Sequence, residues 1–189
     1  PRVDFEREDL VQNALGMSSN KLPNIIEYDS LFYSMDKAIE TGMDNGADEI
    51  VFIDSDIIPP RDGILKFRYW NYPFVTGIYY ERNERHYASI RMYVDGQYVA
   101  FDTNNIKQPY MFVDACGLGY AYIDAEIFKR LSRPWFKWTR ETERSPSEDI
   151  YFAQKVWNEL GIKPLADFNN VASHYGVADY GETIKYTEG

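Results

Sequence analysis

Cysteine and histidine are scarce in this chain: Cys116 is the one cysteine, and His86 and His174 are the two histidines, in 189 residues. A lone cysteine excludes an internal disulfide and fits a reducing, cytoplasmic setting. Two histidines exclude a His-rich metal cluster. No apolar run is long enough for a membrane-spanning helix. The opening residues Pro1-Arg2-Val3-Asp4-Phe5 are charged and mixed, unlike a signal peptide, and the missing initiator Met leaves room for a leading piece. Repeats and low-complexity tracts are absent. Cationic charge is also short, with 20 Lys and Arg against 30 Asp and Glu, a formal net charge of -10. Such a surface repels phosphate backbones, so nucleic acid is excluded as a partner. It also repels a nucleoside diphosphate, so a ligand of that kind needs a local cation.

Apolar residues make up 44% of the chain and aromatic ones 16%, too many for a disordered protein. The length suits one domain, 1–189, with a polar and mobile tail over 175–189 that carries Gly176 and Gly181. Leu22 to Tyr28 reads as a short strand. Asp29-Ser30 offers a cap for a helix that runs to about Asn45 and ends at Asn45-Gly46. Glu49-Ile50-Val51-Phe52-Ile53 is an apolar run typical of a buried strand. Pro59-Pro60 is expected to open the next helix, and Phe74 to Tyr80 to form another strand. Alternation of strand and helix predicts an α/β fold with a sheet between helices. Tyr87–Tyr93, Asp95-Gly96 and Gln97–Phe101 form a hairpin signal. Strands follow at Met111–Ala115 and Tyr120–Ile123, then a helix from about Asp124 to Leu131. The last helix is expected to begin with Ser145 as cap, Pro146 at its first position and Glu148 closing a capping box. Ile162–Ala166 and Val171–His174 read as two short terminal strands.

Five features are candidates for chemistry. Asp54-Ser55-Asp56 places two carboxylates just past the carboxyl end of a buried strand, where ligands bind in open α/β sheets. In a turn both can face one hard cation, Mg²⁺ or Mn²⁺, and that cation can bridge a diphosphate. A solvated, helix-capping turn is the bland alternative. Glu148-Asp149 lies in the first turn of the last helix, where acids complement the dipole. Asp149 has no part in the cap, and the dipole is expected to keep it ionised at neutral pH. His174 ends a short strand, and neutral imidazole is a ligand for Mn²⁺-like metals. In Cys116-Gly117-Leu118-Gly119 the glycines let a ligand approach the backbone, or mark a bulge between strands; Cys116 reads as packing. Among the aromatic residues Trp135, Phe136, Trp138, Tyr79, Tyr80 and Tyr87, Trp138 is the first candidate to stack on a sugar, because it sits among polar loop residues.

Taken in order, these segments resemble the GT-A fold glycosyltransferases, especially compact ones related to glycosyltransferase family 2. Gly46 to Pro60 resembles the family's strand and Asp-x-Asp element, and Pro73 to Tyr80 the strand after it. Val113 to Ile123 resembles the glycine-containing segment near sugar and acceptor. Ser147 to Phe152 resembles the segment with the acidic catalytic pair, and Val171 to His174 the strand that ends in a metal-binding His. The small, tyrosine-rich chain is also similar to glycosyltransferase-like proteins of archaeal viruses, which would place it in the host cytoplasm. The resemblance implies an enzyme that moves a sugar from a nucleotide-diphosphate donor to a hydroxyl acceptor, with inversion. It implies Asp54, Asp56 and His174 as metal ligands for Mn²⁺ or Mg²⁺. Asp149 becomes the catalytic base, and Asp54, Gly117, Gly119, Trp138 and Glu148 contact substrate. Lys137, Arg140, Arg144 or Lys185 would close over the phosphates. The family's long apolar first strand has only fragments between Pro1 and Tyr28, so the alternative is a catalytically inactive module of the same fold.

Overall fold

A computed structural model describes residues 33–81, 87–101, 103, 106, 108–137 and 147–175. The expected strand at Leu22–Tyr28, the cap at Asp29-Ser30, Trp138, Ser145-Pro146 and the tail beyond 175 lie outside these residues. The described chain is α/β. Helix α1 spans Tyr33–Asp44. It ends where Gly46 takes φ 83°, a left-handed conformation that favours glycine. Then follow β1 (Glu49–Ile53), β2 (Ile57–Ile58), α2 (Gly63–Tyr69), β3 (Phe74–Ile78), β4 (Ile90–Val94) and β5 (Gln97–Ala100). The chain continues with β6 (Tyr110–Phe112), β7 (Ala115–Cys116), β8 (Tyr120–Asp124), α3 (Ala125–Arg130), α4 (Glu148–Leu160), β9 (Leu165–Val171) and β10 (Ser173–His174).

A mixed five-stranded sheet in the order β1-β8-β3-β9-β6 forms the centre. Strand β8 is antiparallel to both β1 and β3, β3 is parallel to β9, and β6 is antiparallel to β9. Strands β1, β3 and β9 therefore run the same way and end at one edge. The hairpin β4–β5 turns at Asp95-Gly96, both with positive φ, and joins β7 in a three-stranded sheet. Short β2 pairs with β10.

Strand β3 is buried along its whole length, so its side chains fill both faces in alternation. Phe74 and Ile78 enter the larger core with Phe128 of α3 and Phe152 of α4. Phe152 lies 5.8 Å from Phe74, 5.4 Å from Phe128 and 4.9 Å from Phe136, ring centre to ring centre. Val75 and Tyr79 enter a second cluster with Phe67 of α2, Tyr120 and Tyr122. No helix among the described residues is long and apolar enough to cross a membrane.

Four expectations need correction. The single strand expected over Met111–Ala115 is two, β6 in the central sheet and β7 in the three-stranded one. Helix α2 starts at Gly63, not at Pro59-Pro60. A residue followed by proline is driven to extended backbone, so the chain leaves β2 extended and turns only when Gly63 N–H donates to Pro60 O (2.8 Å). Helix α4 starts at Glu148, with Ser147 as its cap and no side-chain capping bond. Glu148 is thus the first helical residue rather than the third, and it closes no capping box. The first expected terminal strand starts later and runs on to Val171 as β9, and the second is cut to β10, Ser173–His174. Polar Asp167 and Asn170 hid the continuity, yet both are buried and bonded. Trp70 Nε1–H donates to Asp167 Oδ2 (2.9 Å), and Tyr120 O–H to Asn170 Oδ1 (2.8 Å).

Tyr120 decides the fit at the sheet centre. Its ring packs where a Cβ of residue 77 would stand, so only glycine is accommodated there. Gly77→Ala is expected to lower stability by about 1–3 kcal/mol through overpacking. Urea unfolding read by circular dichroism checks this, and an unchanged midpoint would contradict the packing described.

Candidate functional site

The edge where β1, β3 and β9 end carries the acidic residues. Strand β1 stops at Asp54, whose N–H donates to Gly119 O (2.9 Å) and whose carbonyl accepts from Ile57 N–H (3.0 Å). That turn leads into β2, where Ile57 pairs with His174 of β10. Asp56 is held by the same pairing, because Tyr175 N–H donates to Asp56 O (2.6 Å).

His174 and Asp56 meet directly. Nε2 of His174 lies 3.5 Å from Asp56 Oδ2, and Nδ1 lies 2.7 Å from Tyr80 O. The carbonyl can only accept, so Nδ1 carries a proton and donates it. A neutral ring then turns the lone pair of Nε2 toward a carboxylate oxygen. Two acceptors face each other unless a proton or a cation stands between them. A histidine whose other ring nitrogen donates to a backbone carbonyl is oriented as metal-ligating histidines are. The donor set, one carboxylate and one imidazole, fits Mn²⁺ or Mg²⁺ completed by phosphate oxygens and water.

Asp54 stands at the glycine turn. Its Oδ2 lies 2.5 Å from where a Cβ on Gly119 would be, so the glycine makes room for the carboxylate. Among the described residues no three His, Cys, Asp or Glu side chains form a ready-made metal cluster. Of the expected metal ligands Asp54, Asp56 and His174, the last two meet directly and Asp54 stands beside the glycine turn.

Across that turn stands Asp149. The N–H of Leu118 donates to its carboxylate, and Asp54, Glu148 and Arg91 all act on its charge. Burial is the largest influence. Together with the charges of Glu148 and Asp54 it pushes the carboxyl up to about 7, against the pull of Leu118 N–H and Arg91. The residue keeps some exposed area, but the protein around the carboxyl is dense enough for desolvation to dominate. This corrects the expectation that the helix dipole keeps Asp149 ionised at neutral pH. Glu148 Oε2 beside it is buried and has no hydrogen-bond partner among the described residues. A buried acceptor left in that state favours an incoming hydroxyl or cation.

Tyr79 links the two halves. Its ring meets His174 edge-on at 5.6 Å. Its hydroxyl accepts from Gly119 N–H (3.3 Å) and occupies the space a side chain at residue 117 would take. Burial raises its pKa, and the charges of Asp149 and Asp54 raise it further, so the phenol stays protonated. Gly117 and Gly119 are therefore close-approach glycines rather than a neutral bulge.

Arg91 escaped the reading of the sequence. Its Nη1 donates to the carbonyls of Ala88 (3.0 Å) and Ile90 (2.9 Å), and Nη2 pairs with Glu81. Burial lowers its pKa, while Tyr79 and Asp149 raise it. A charged residue inside the apolar stretch Ile90-Arg91-Met92 was the signal. Trp135 and Phe136 are core residues, against Phe128 at 5.2 Å and Phe152 at 4.9 Å, and offer no face to a sugar. Burial raises the thiol of Cys116, an inert packing group as read from the sequence. Trp138, Arg140, Arg144 and Lys185 lie outside the described residues, and Lys137 is exposed.

No protein-family model matches the chain, and no curated protein matches it. Among solved structures it is similar to the crystal structure of A197 from STIV, with a TM-score of 0.61 and 19% sequence identity. The likeness covers 87% of this chain and 84% of that one. At such identity the two share a fold, and function has to be argued from the site.

Proposed function

We propose that the chain is a glycosyltransferase of the GT-A type. It moves a sugar from a nucleotide-diphosphate donor to a hydroxyl acceptor, with inversion, within a single catalytic domain. The observation that carries this reading is the pair of carboxyl groups around one glycine turn, Asp54 just past β1 and Asp149 on α4, beside the Asp56–His174 pair. The sequence resemblance and the mixed sheet with its acidic edge support the same assignment.

Asp56 and His174 would hold the divalent cation, Mn²⁺ or Mg²⁺, which supplies positive charge to the diphosphate in a chain of net charge -10. Asp54 would accept hydrogen bonds from ribose or sugar hydroxyls. Gly117 and Gly119 let the sugar approach the backbone. Glu148, with its orphan oxygen, receives a hydroxyl of the substrate. Asp149 accepts the proton of the acceptor hydroxyl as that oxygen bonds to the anomeric carbon. The bond from that carbon to the diphosphate breaks on the opposite face, and the leaving group departs with the electron pair. A carboxyl poised near 7 suits proton transfer at neutral pH better than an ordinary one.

Titration of nucleoside diphosphates and nucleotide sugars by calorimetry, with and without Mn²⁺, checks the reading. Binding is expected only with Mn²⁺, lost in Asp56→Ala and weakened less in His174→Ala, since water can replace one neutral ligand. An Asp56→Ala protein that binds as the parent does contradicts the assignment. A parent that binds a nucleotide sugar but neither transfers nor hydrolyses it is an inactive module.

Asp149→Asn keeps the shape and removes the base. Transfer is expected to fall on the order of 10²-fold or more while nucleotide binding survives. Stability moves the other way. The unfolded carboxyl holds its proton only below about pH 4, whereas the folded one holds it up to about 7. Raising the pH between these values strips a proton the folded state binds more tightly, so stability falls across that window. The Asn variant lacks this loss. Its advantage is expected to be smallest near pH 4 and to approach about 4 kcal/mol well above pH 7. Denaturant midpoints of both proteins across that range check it, and a gap that does not change with pH contradicts it.

A further inference from the structure

Strand β6 ends the central sheet on the side away from β1, four strands along, or about 19 Å at about 4.8 Å per strand. Two of its three side chains, Tyr110 and Phe112, point to the same face about 7 Å apart. They are 42% and 48% exposed. Neither ring stands loose. Tyr110 packs on Trp70 at 4.7 Å and Phe112 on Tyr72 at 5.3 Å. Tyr72 O–H in turn donates to Lys163 O (3.0 Å).

The support beneath this ledge is a buried charge. Asp167 is 2% exposed and lies opposite Tyr110 in the β6–β9 register. Its carboxylate accepts from Trp70 Nε1–H (2.9 Å) and from the backbone N–H of Asn169 (3.0 Å). Burying a carboxylate is unfavourable. Here it fixes a part-exposed indole and the neighbouring backbone at the sheet edge. Exposed amides stand near the rings: Asn71 next to Trp70, Gln108 ahead of Tyr110, and Asn169, whose backbone carbonyl accepts from Lys66 Nζ (3.2 Å).

We propose that this ledge binds a neutral glycan. Flat, pinned rings accept the C–H faces of sugar rings, and the amides can both donate to and accept from their hydroxyls. The net charge of -10 turns away polyanions that would otherwise use such rings. A second copy of the chain is a poor occupant, because the edge strand is three residues long and follows Pro109, features that discourage strand addition. The ledge stands on its own chemistry; only the identification of the bound glycan as the acceptor, held away from the Asp54–Asp149 site, rests on the transferase reading.

The test titrates the full chain with maltohexaose, cellohexaose and mannohexaose, read by calorimetry and by tryptophan fluorescence. Saturable binding of at least one hexasaccharide is expected. The Tyr110→Ser, Phe112→Ser double variant should bind it about tenfold more weakly or worse. Both side chains are half exposed, so circular dichroism and the thermal midpoint should stay near the parent's. Asp56→Ala should bind the hexasaccharide as the parent does, which separates this surface from the nucleotide site. The proposal is overturned if none of the three binds or if the double variant binds like the parent. It is also overturned if sedimentation shows a parent dimer that the double variant abolishes, since the surface then serves self-association.

Discussion

The site depends on the absence of a single carbon atom. Without a side chain on Gly119, the Asp54 carboxylate can lie against the turn that joins β7 to β8, while Asp149 is held on the same turn by the N–H of Leu118. Tyr79 fills the neighbouring space over Gly117 and touches His174 with its ring edge. Three strands ending at one sheet edge bring these residues together from distant parts of the chain. A methyl group at either glycine would spread the arrangement, because its neighbours are the phenol and carboxylate of the site.

Packing carboxylates together in an acidic protein has electrostatic consequences. Asp54, Glu148 and Asp149 repel one another, and burial adds to the penalty. Arg91 offsets part of it, itself pinned by two carbonyls and Glu81. The remainder appears as a proton held on Asp149 to near neutral pH. Asp56 and His174 meet directly on the other side, with Nε2 of the ring 3.5 Å from the carboxylate. Charge thus enters the site as a proton on one side and, in the proposed function, as a metal on the other.

Much of this architecture was legible in the sequence because it follows local rules. The apolar run Glu49–Ile53 is strand β1 residue for residue, and the Asp95-Gly96 turn and the Gly161 helix stop lie where their backbone preferences put them. Long-range terms were not legible. Nothing near Asp149 in the chain announces that desolvation will outweigh the helix dipole, because Leu118, Asp54 and Arg91, which act on it, come from distant segments. Strand β9 was divided in two because Asp167 and Asn170 look solvent-facing until Trp70 and Tyr120 arrive to bond them. Glu148 gave a capping-box pattern that the true helix start does not use. Arg91 was passed over because hairpin strands commonly carry one exposed charge, and only the fold shows it turned toward Tyr79 and Asp149.

The claim on which the account turns is that Asp54 and Asp149 share one desolvated site. Carbon-13 NMR titration of the Asp149 carboxyl measures this directly, in the parent and in Asp54→Asn. The account predicts a midpoint near 7 in the parent and a lower one in the variant, where the neighbouring negative charge is gone. A midpoint near an ordinary aspartate value in the parent, or one that does not respond to the loss of Asp54, would contradict it.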